Sequence, residues 1–272
     1  IEIENRKILE NKELDIFLPT LNLAFEINGL FWHSELNGKD NKYHVEKLEE
    51  CNNKGIRLIQ IFEDEWLYKQ EIVKSKIAHL INKNDKPKIY ARKCYVEEID
   101  NNYKKEFLLK NHIQGDDVSR IKLGLWLPKD DGDELVAVMT FCKPRISLGQ
   151  KNNTNYNYEL SRFATDMDYR VVGAFGKLFN YFKKHYKFNN IITYADRRWS
   201  EGNVYIKNGF ELDHISKPNY WYFKNEKIRY HRFNFRKQNI KKLFPDIYDD
   251  NKTEIEMMNE LGYDRIWDCG NL

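Results

Sequence analysis

Asp15, Glu26 and His33 fall within one stretch, ELDIFLPTLNLAFEINGLFWH (residues 13–33), together with Glu13 and a majority of apolar residues. Titratable groups placed among Leu, Ile and Phe are costly to bury unless they pair, neutralise or hold a metal. Asp15 and Glu26 stand eleven positions apart on two segments that read as antiparallel strands joined by the turn Pro19-Thr20-Leu21-Asn22. On such a hairpin an Asp, a Glu and a nearby backbone carbonyl, that of Ile27, converge on one point, with Asn28 on the same strand face as Glu26. An oxygen-rich point of this kind suits a hard divalent cation, Mg²⁺ or Mn²⁺, which keeps waters for chemistry. Paired carboxylates holding such an ion beside a phosphate are a recurrent means of stabilising phosphoryl transfer. His33, at the end of GLFWH, is an imidazole suited to take a proton from water.

The elements that must position these groups follow from the pattern around them. Residues 13–18 and 23–29 are the two strands, and a helix is expected over about 41–54, ended by Gly55. His44, Lys47, Leu48 and Cys51 recur at i, i+3, i+4 and i+7 and therefore share one helical face. Packing of Leu48 and Cys51 on the strands aims His44 and Lys47 at the polar end of the hairpin, where a lysine neutralises charge developing on a phosphate. IRLIQIF (56–62) reads as a buried third strand. The acidic run Glu63-Asp64-Glu65 then starts one long helix, about 65–82, and the helix dipole favours acids there. Glu13 and Glu63 read as solvated rim charges. The polar segment NKNDKPK (82–88) is the expected domain boundary.

The second half reads as a strand from Ile89, a helix at 101–111, a strand hairpin (121–127 and 134–142) and a loop rich in Gly, Asn and Gln at 149–157. A strand at YELSRFA, a helix over 173–186, a strand at IITYAD and a short helix in SEGNVYIKNGF follow. NYWYF and IRYHRFNF look like a closing hairpin. The expected division is 1–86, 87–235 and a basic-to-acidic extension, 236–272.

The 272 residues suffice for two domains, and 32% charged with 14% aromatic residues excludes a disordered chain. No apolar run nears the roughly 20 residues that span a bilayer, and no signal peptide is visible, so no membrane partner is expected. Cys51, Cys94, Cys142 and Cys269 form no CxxC pair, as in a protein of the reducing cytoplasm. Ile rather than Met stands first, so further residues upstream are expected. The net charge is only +3, but Lys224, Lys227, Arg229, Arg232, Arg236, Lys237, Lys241 and Lys242 are concentrated against one acid, Glu226, with Tyr and Phe between them. Cations interleaved with aromatics suit a phosphate backbone and stacked bases, although a solvated basic face has the same composition.

LDIFLPTLNLAFEINGLFWH and HVEKLEECNNKGIRLIQIFEDEW together resemble the PD-(D/E)xK nuclease superfamily, and within it the very-short-patch-repair (Vsr-like) endonucleases. The resemblance covers roughly residues 1–85. It implies a restriction-endonuclease-like mixed sheet, with Asp15 and Glu26 as metal carboxylates, His33 as the catalytic histidine and Trp32 as a wedge against a base. Asn28 stands where the superfamily usually carries lysine, so Lys47 is expected to supply that charge from the helix. The functional Glu that relatives place on a preceding helix has no counterpart, nor has the repair enzymes' zinc site, which separates this chain from mismatch repair itself.

Residues 88–223 resemble the GNAT acyltransferase fold in element order and in NVYIKNGF. YRVVGAFGKLF looks like that fold's pyrophosphate loop, with Arg170, Gly173 and Gly176, but Phe175 replaces the usual small residue. ITYADRRWSEGNVY and KPNYWYF are similar to phage Mom-type proteins, relatives that modify DNA bases. These resemblances add Arg162, Arg197, Arg198, Trp199 and Tyr220 to Arg229, Arg232, Arg236 and Lys237 as expected DNA contacts.

The expected fold class is therefore α/β, a restriction-endonuclease-like domain plus a GNAT-like α+β domain. The expected function is a Mg²⁺-dependent endonuclease of a phage-borne, homing or site-specific kind, acting on double-stranded DNA in the host cytoplasm. Double-strand cleavage would need a homodimer or two successive nicks. The alternatives are an acyltransferase modifying nucleobases and a DNA-binding protein without catalysis.

Overall fold

Leu23, Ala24 and Phe25 are all buried, and since consecutive strand residues point to opposite sides, both faces of the N-terminal sheet are covered in a computed structural model. Residues 1–9, 12–83, 85–145, 156–225 and 227–272 are described. The chain is mixed α/β and divides into two units. One comprises 1–68, 195–201 and 212–272; the other comprises 69–194 and 202–211.

In the first unit, β1 (Glu2–Leu9), β2 (Lys12–Leu18) and β3 (Leu23–Asn28) form an antiparallel meander, and β4 (Arg57–Phe62) adds parallel to β3. The expected hairpin is thus the centre of a wider sheet, and β1 went unread in the sequence. Pro19–Leu21 is a single 3₁₀ turn, closed by Asn22 at φ 46° with its N–H on the Pro19 carbonyl, 3.2 Å. Asn tolerates this left-handed geometry better than most residues. The pairs Ile16–Phe25 and Phe17–Ala24, continued by one step, set Asp15 level with Glu26. A parallel neighbour requires a crossover, which α1 (Tyr43–Asn53) supplies, with Gly55 at φ 69° just beyond it. The buried side chains of α1 are His44, Lys47, Leu48 and Cys51, the face expected from their spacing. Leu48 and Cys51 pack with Leu14, Phe17, Ala24 and Leu58.

The single helix expected over 65–82 is instead two, α2 (Glu63–Tyr68) and α3 (Gln70–Leu80). Lys69 between them leaves helical values, at φ −138° and ψ 33°, and its Nζ donates to the Ile113 carbonyl. The first of the three segments that make up the first unit ends at this break. The polar segment 82–88 lies inside the second unit: Lys86 Nζ donates to Ser75 Oγ at 3.0 Å and to the Met167 carbonyl. The segment then continues into β5 (Lys88–Tyr90).

The second unit carries a five-stranded sheet. Its order is β11 (Ile191–Thr193), β9 (Tyr158–Thr165), β8 (Glu134–Cys142), β7 (Ile121–Leu127) and β6 (Tyr95–Glu98), antiparallel except for β11 beside β9. A separate parallel pair joins β5 to β10 (Arg170–Val172). Met139 packs with the cluster of α5 (Ala174–His185), whereas Val138 packs with that of α4 (Asn101–Asn111). Adjacent strand residues point to opposite faces, so the two helices cover opposite sides of the sheet. The Asp100 carboxylate caps α4, accepting from the N–H groups of Asn102 and Tyr103. The short helix near 200–210 is only α6 (Asn203–Ile206). Most of the loop expected at 149–157 lies outside the described residues.

The closing hairpin forms between β12 (Tyr220–Phe223) and β13 (Tyr230–His231), but β14 (Asp264–Trp267) pairs with the other edge of β12. With α7 (Lys237–Leu243) and α8 (Glu254–Glu260), residues 236–272 therefore build a core of the first unit around Tyr222, Phe235, Ile240, Met257 and Met258. They are an integral part of that unit and not an appended extension. The last residues run beside 195–197, with Ala195 and Leu272 exchanging both backbone hydrogen bonds, 3.1 and 2.9 Å. Gly270 has φ 73°, and a Cβ there would lie 2.2 Å from the Ser216 carbonyl oxygen.

Candidate active site

The polar end of the β2–β3 hairpin gathers Asp15, Glu26 and Lys47. The half-buried Asp15 accepts the Ile27 N–H at 2.6 Å through Oδ2. Glu26 is 4% exposed; its Oε1 accepts from Lys47 Nζ, itself buried, and its Oε2 has no hydrogen-bond partner. Burial pushes the Glu26 carboxyl up to about 7; Lys47 opposes the shift and the Asp15 charge adds to it. Lys47 thus reaches Glu26 from α1. Asn28 faces the interior instead, donating from Nδ2 to Gln60 Oε1 at 3.2 Å. Gln60 in turn donates to the His44 carbonyl at 2.8 Å. This amide chain fixes β3, β4 and α1 to one another.

His33 and His44 stack, with ring centroids 5.6 Å apart and planes 19° from parallel. Tyr43 meets both rings edge-on, and Phe62 lies against His44 at 5.5 Å. Nδ1 of His33 and both ring nitrogens of His44 have no hydrogen-bond partner. Burial, then Lys47 and Lys39, lower His33 to about 4, and burial lowers His44 well below the ordinary value. Both rings are therefore neutral at neutral pH. His44 is fully interior, which makes it a platform beneath His33 and not a base in its own right. Trp32 is 71% exposed and lies edge-to-face with the exposed Phe31, 5.1 Å between centroids.

Two residues of this cluster escaped the sequence reading. Tyr43 is raised by burial and by the charges of Glu26 and Asp15. Its signal was its place four residues before Lys47, hence on the same helical side. Gln60 was legible as the lone polar residue within IRLIQIF.

Several residues expected to touch DNA are internal. Arg198 donates to Glu65 Oε1 and Oε2 at 3.0 and 3.1 Å and to Asp196 Oδ2 at 2.7 Å. Arg229 donates to Asp64 Oδ1 at 2.8 Å and Glu65 Oε1 at 2.9 Å. Both guanidiniums lie over the Phe62 ring, 4.6 and 4.0 Å from its centroid. Trp199 is buried, and Arg197 is paired with Glu49 and the Cys269 carbonyl. The three arginines hold the first unit together, because acids distant in sequence take up their charges. In the second unit, half-buried Arg162 donates to the carbonyls of Gly115 and Ser161. Tyr220 donates its hydroxyl to Glu254, Arg232 stacks at 5.3 Å over the Tyr220 ring, and Lys237 reaches the Asp250 carbonyl. Arg236 is exposed, 3.8 Å above Phe233. Phe175 turns into the core against Phe163, Phe179 and Tyr205, away from the loop it was expected to crowd.

Among the described residues no group of three or more His, Cys, Asp and Glu is arranged to hold a metal. Asp15 and Glu26, with the unpartnered Glu26 Oε2, nevertheless fit a hard divalent ion that draws its remaining ligands from water and substrate. The chain matches no protein-family model, and no curated protein is significantly similar to it.

Proposed function

We propose that the chain is a metal-dependent DNA endonuclease of the PD-(D/E)xK, Vsr-like type, acting on double-stranded DNA. One observation carries this reading: Asp15, a buried Glu26–Lys47 pair and a neutral His33 gather at one end of a single hairpin and its crossover helix. Asp15, Glu26 and the Ile27 carbonyl would hold Mg²⁺ or Mn²⁺. When bound, the ion neutralises charge on the scissile phosphate and makes water more acidic. Lys47 favours the ionised form of Glu26 and adds positive charge beside the phosphate. His33, free of competing protonation, accepts a proton from the attacking water at a ring nitrogen. The water oxygen bonds to phosphorus, one P–O ester bond breaks, and the departing oxygen takes a proton from solvent, so that a phosphate monoester and a hydroxyl result. Exposed Trp32 is the group available to stack on a base. The free, buried cysteines are in keeping with a cytoplasmic setting.

Supercoiled plasmid incubated with the protein and Mg²⁺, Mn²⁺ or EDTA tests the reading. Nicking that needs metal and vanishes in Asp15→Asn and Glu26→Gln is expected. A folded protein that binds DNA and never cuts it, with any metal, would leave a DNA-binding protein without catalysis.

The inward turn of Phe175 favours a second reading, because its ring packs in the core while Gly173, just before α5, and Gly176, in its first turn, line a surface groove. On that reading the second unit transfers an acyl group to a nucleobase, and calorimetry with acetyl-coenzyme A would register saturable binding.

A further inference from the structure

A groove of about 930 Å³ lies wholly within the second unit, lined by the outer stripe of α5 on one side and by β5, the turn Ala91–Lys93 and β6 on the other. On α5 the lining residues Gly173, Gly176, Lys177, Asn180, Tyr181 and Lys184 recur at helical spacing. The opposite stripe, with Leu178, Phe179 and Phe182, is buried in the sheet core, so folding does not consume this face. At 1.5 Å per residue the stripe is about 18 Å long, the reach of roughly five stacked nucleotides.

The lining carries Arg92, Lys177, Lys184 and His185 and, among the described residues, no carboxylate. Arg92 lies 5.1 Å over the Tyr90 ring, Lys177 donates to the Cys94 carbonyl, and Lys184 is exposed. Tyr90 and Tyr95 are 39% and 40% exposed, and the rim acid Asp133 accepts from the Tyr95 hydroxyl at 2.6 Å. Exposed Lys88 and Arg170 pair in register two residues before Tyr90 and Val172, which puts them on the same ribbon face and extends the cationic surface.

We propose that this groove binds single-stranded DNA, with phosphates along Arg92, Lys177 and Lys184 and bases against Tyr90 and Tyr95. Cations along the lining match a phosphodiester chain, and the exposed parts of Tyr90 and Tyr95 match unpaired bases. The choice of DNA rests on the nuclease reading above, but the groove's occupancy does not depend on the hairpin's chemistry.

Fluorescence anisotropy of the full chain in EDTA, with a labelled oligonucleotide about 20 nucleotides long, tests it. The variants are Arg92→Ala/Lys184→Ala and Tyr90→Ala, each checked by circular dichroism. The double variant is expected to bind about tenfold more weakly and to lower the slope of log affinity against log salt by about 1.4, near 0.7 per phosphate contact. Tyr90→Ala weakens binding without changing that slope. Unchanged affinity and slope in the double variant overturn the proposal, as does saturable acetyl-coenzyme A binding that this variant abolishes while its DNA affinity stays. If nicking is never seen but the double variant behaves as expected, the nuclease reading fails and the groove stands. If nicking behaves as expected and the double variant binds normally, the groove alone fails.

Discussion

Burial holds the Glu26 carboxyl near 7 although a lysine ammonium sits on one of its oxygens. A carboxyl raised from 4.5 stabilises the fold in its protonated form, so its contribution is full below about 4.5 and is lost as pH rises through 7. His33, lowered from 6.5 to about 4, acts in the opposite sense: its contribution is full above 6.5 and is lost as pH falls through 4. A divalent ion needs the carboxylate ionised. Nicking at subsaturating Mg²⁺ should therefore rise about tenfold per pH unit below 7 and level off above it. Lys47→Met should move that midpoint upward. A pH–rate profile of the parent and the variant checks this, and a flat profile, or one the substitution leaves in place, contradicts the assignment.

At the junction of β4 and α2, the Glu65 carboxylate accepts the Phe62 N–H at 3.1 Å and two guanidiniums that flank the Phe62 ring. Burial alone would raise this carboxyl, yet Arg198 and Arg229 hold it down at about 2. Glu65→Ala leaves both cations buried with less compensation and should cost about 3–5 kcal/mol in urea unfolding; Glu65→Gln, which keeps acceptor capacity, should cost less. Elements with one clear period were legible in the sequence: the buried face of α1 and the hairpin of β7 and β8 lie where spacing put them. The partners of Arg198 and Arg229 were not, because Glu65 lies 133 positions from one and 164 from the other. Nor was the break at Lys69 visible, since no Gly or Pro marks it. Of the candidate site, Asp15, Glu26, Lys47 and His33 were readable from type and spacing, whereas the interior place of His44 depended on Phe62 arriving from β4.

The chain leaves the first unit at Tyr68 and returns to it at Ala195 and again at Leu212. Its C-terminal strand and the residues beyond supply an edge of the second sheet and the ladder on Ala195. Gly270→Ala, forcing a side chain into left-handed backbone against Ser216, should cost at least about 1 kcal/mol in thermal or urea unfolding. A chain ending at Glu260 should lose protease protection of residues 12–68 while the segments 85–145 and 156–194 stay resistant, as limited proteolysis with mass spectrometry would show. During synthesis, domains fold as their residues emerge, at about 5–20 residues per second. The 204 residues between Tyr68 and Leu272 impose a delay of roughly 10–40 s at that pace. A nascent chain thus holds all residues of its second unit, the last of them Glu211, before it holds all those of the first, and whatever chemistry the hairpin performs waits on residues 212–272.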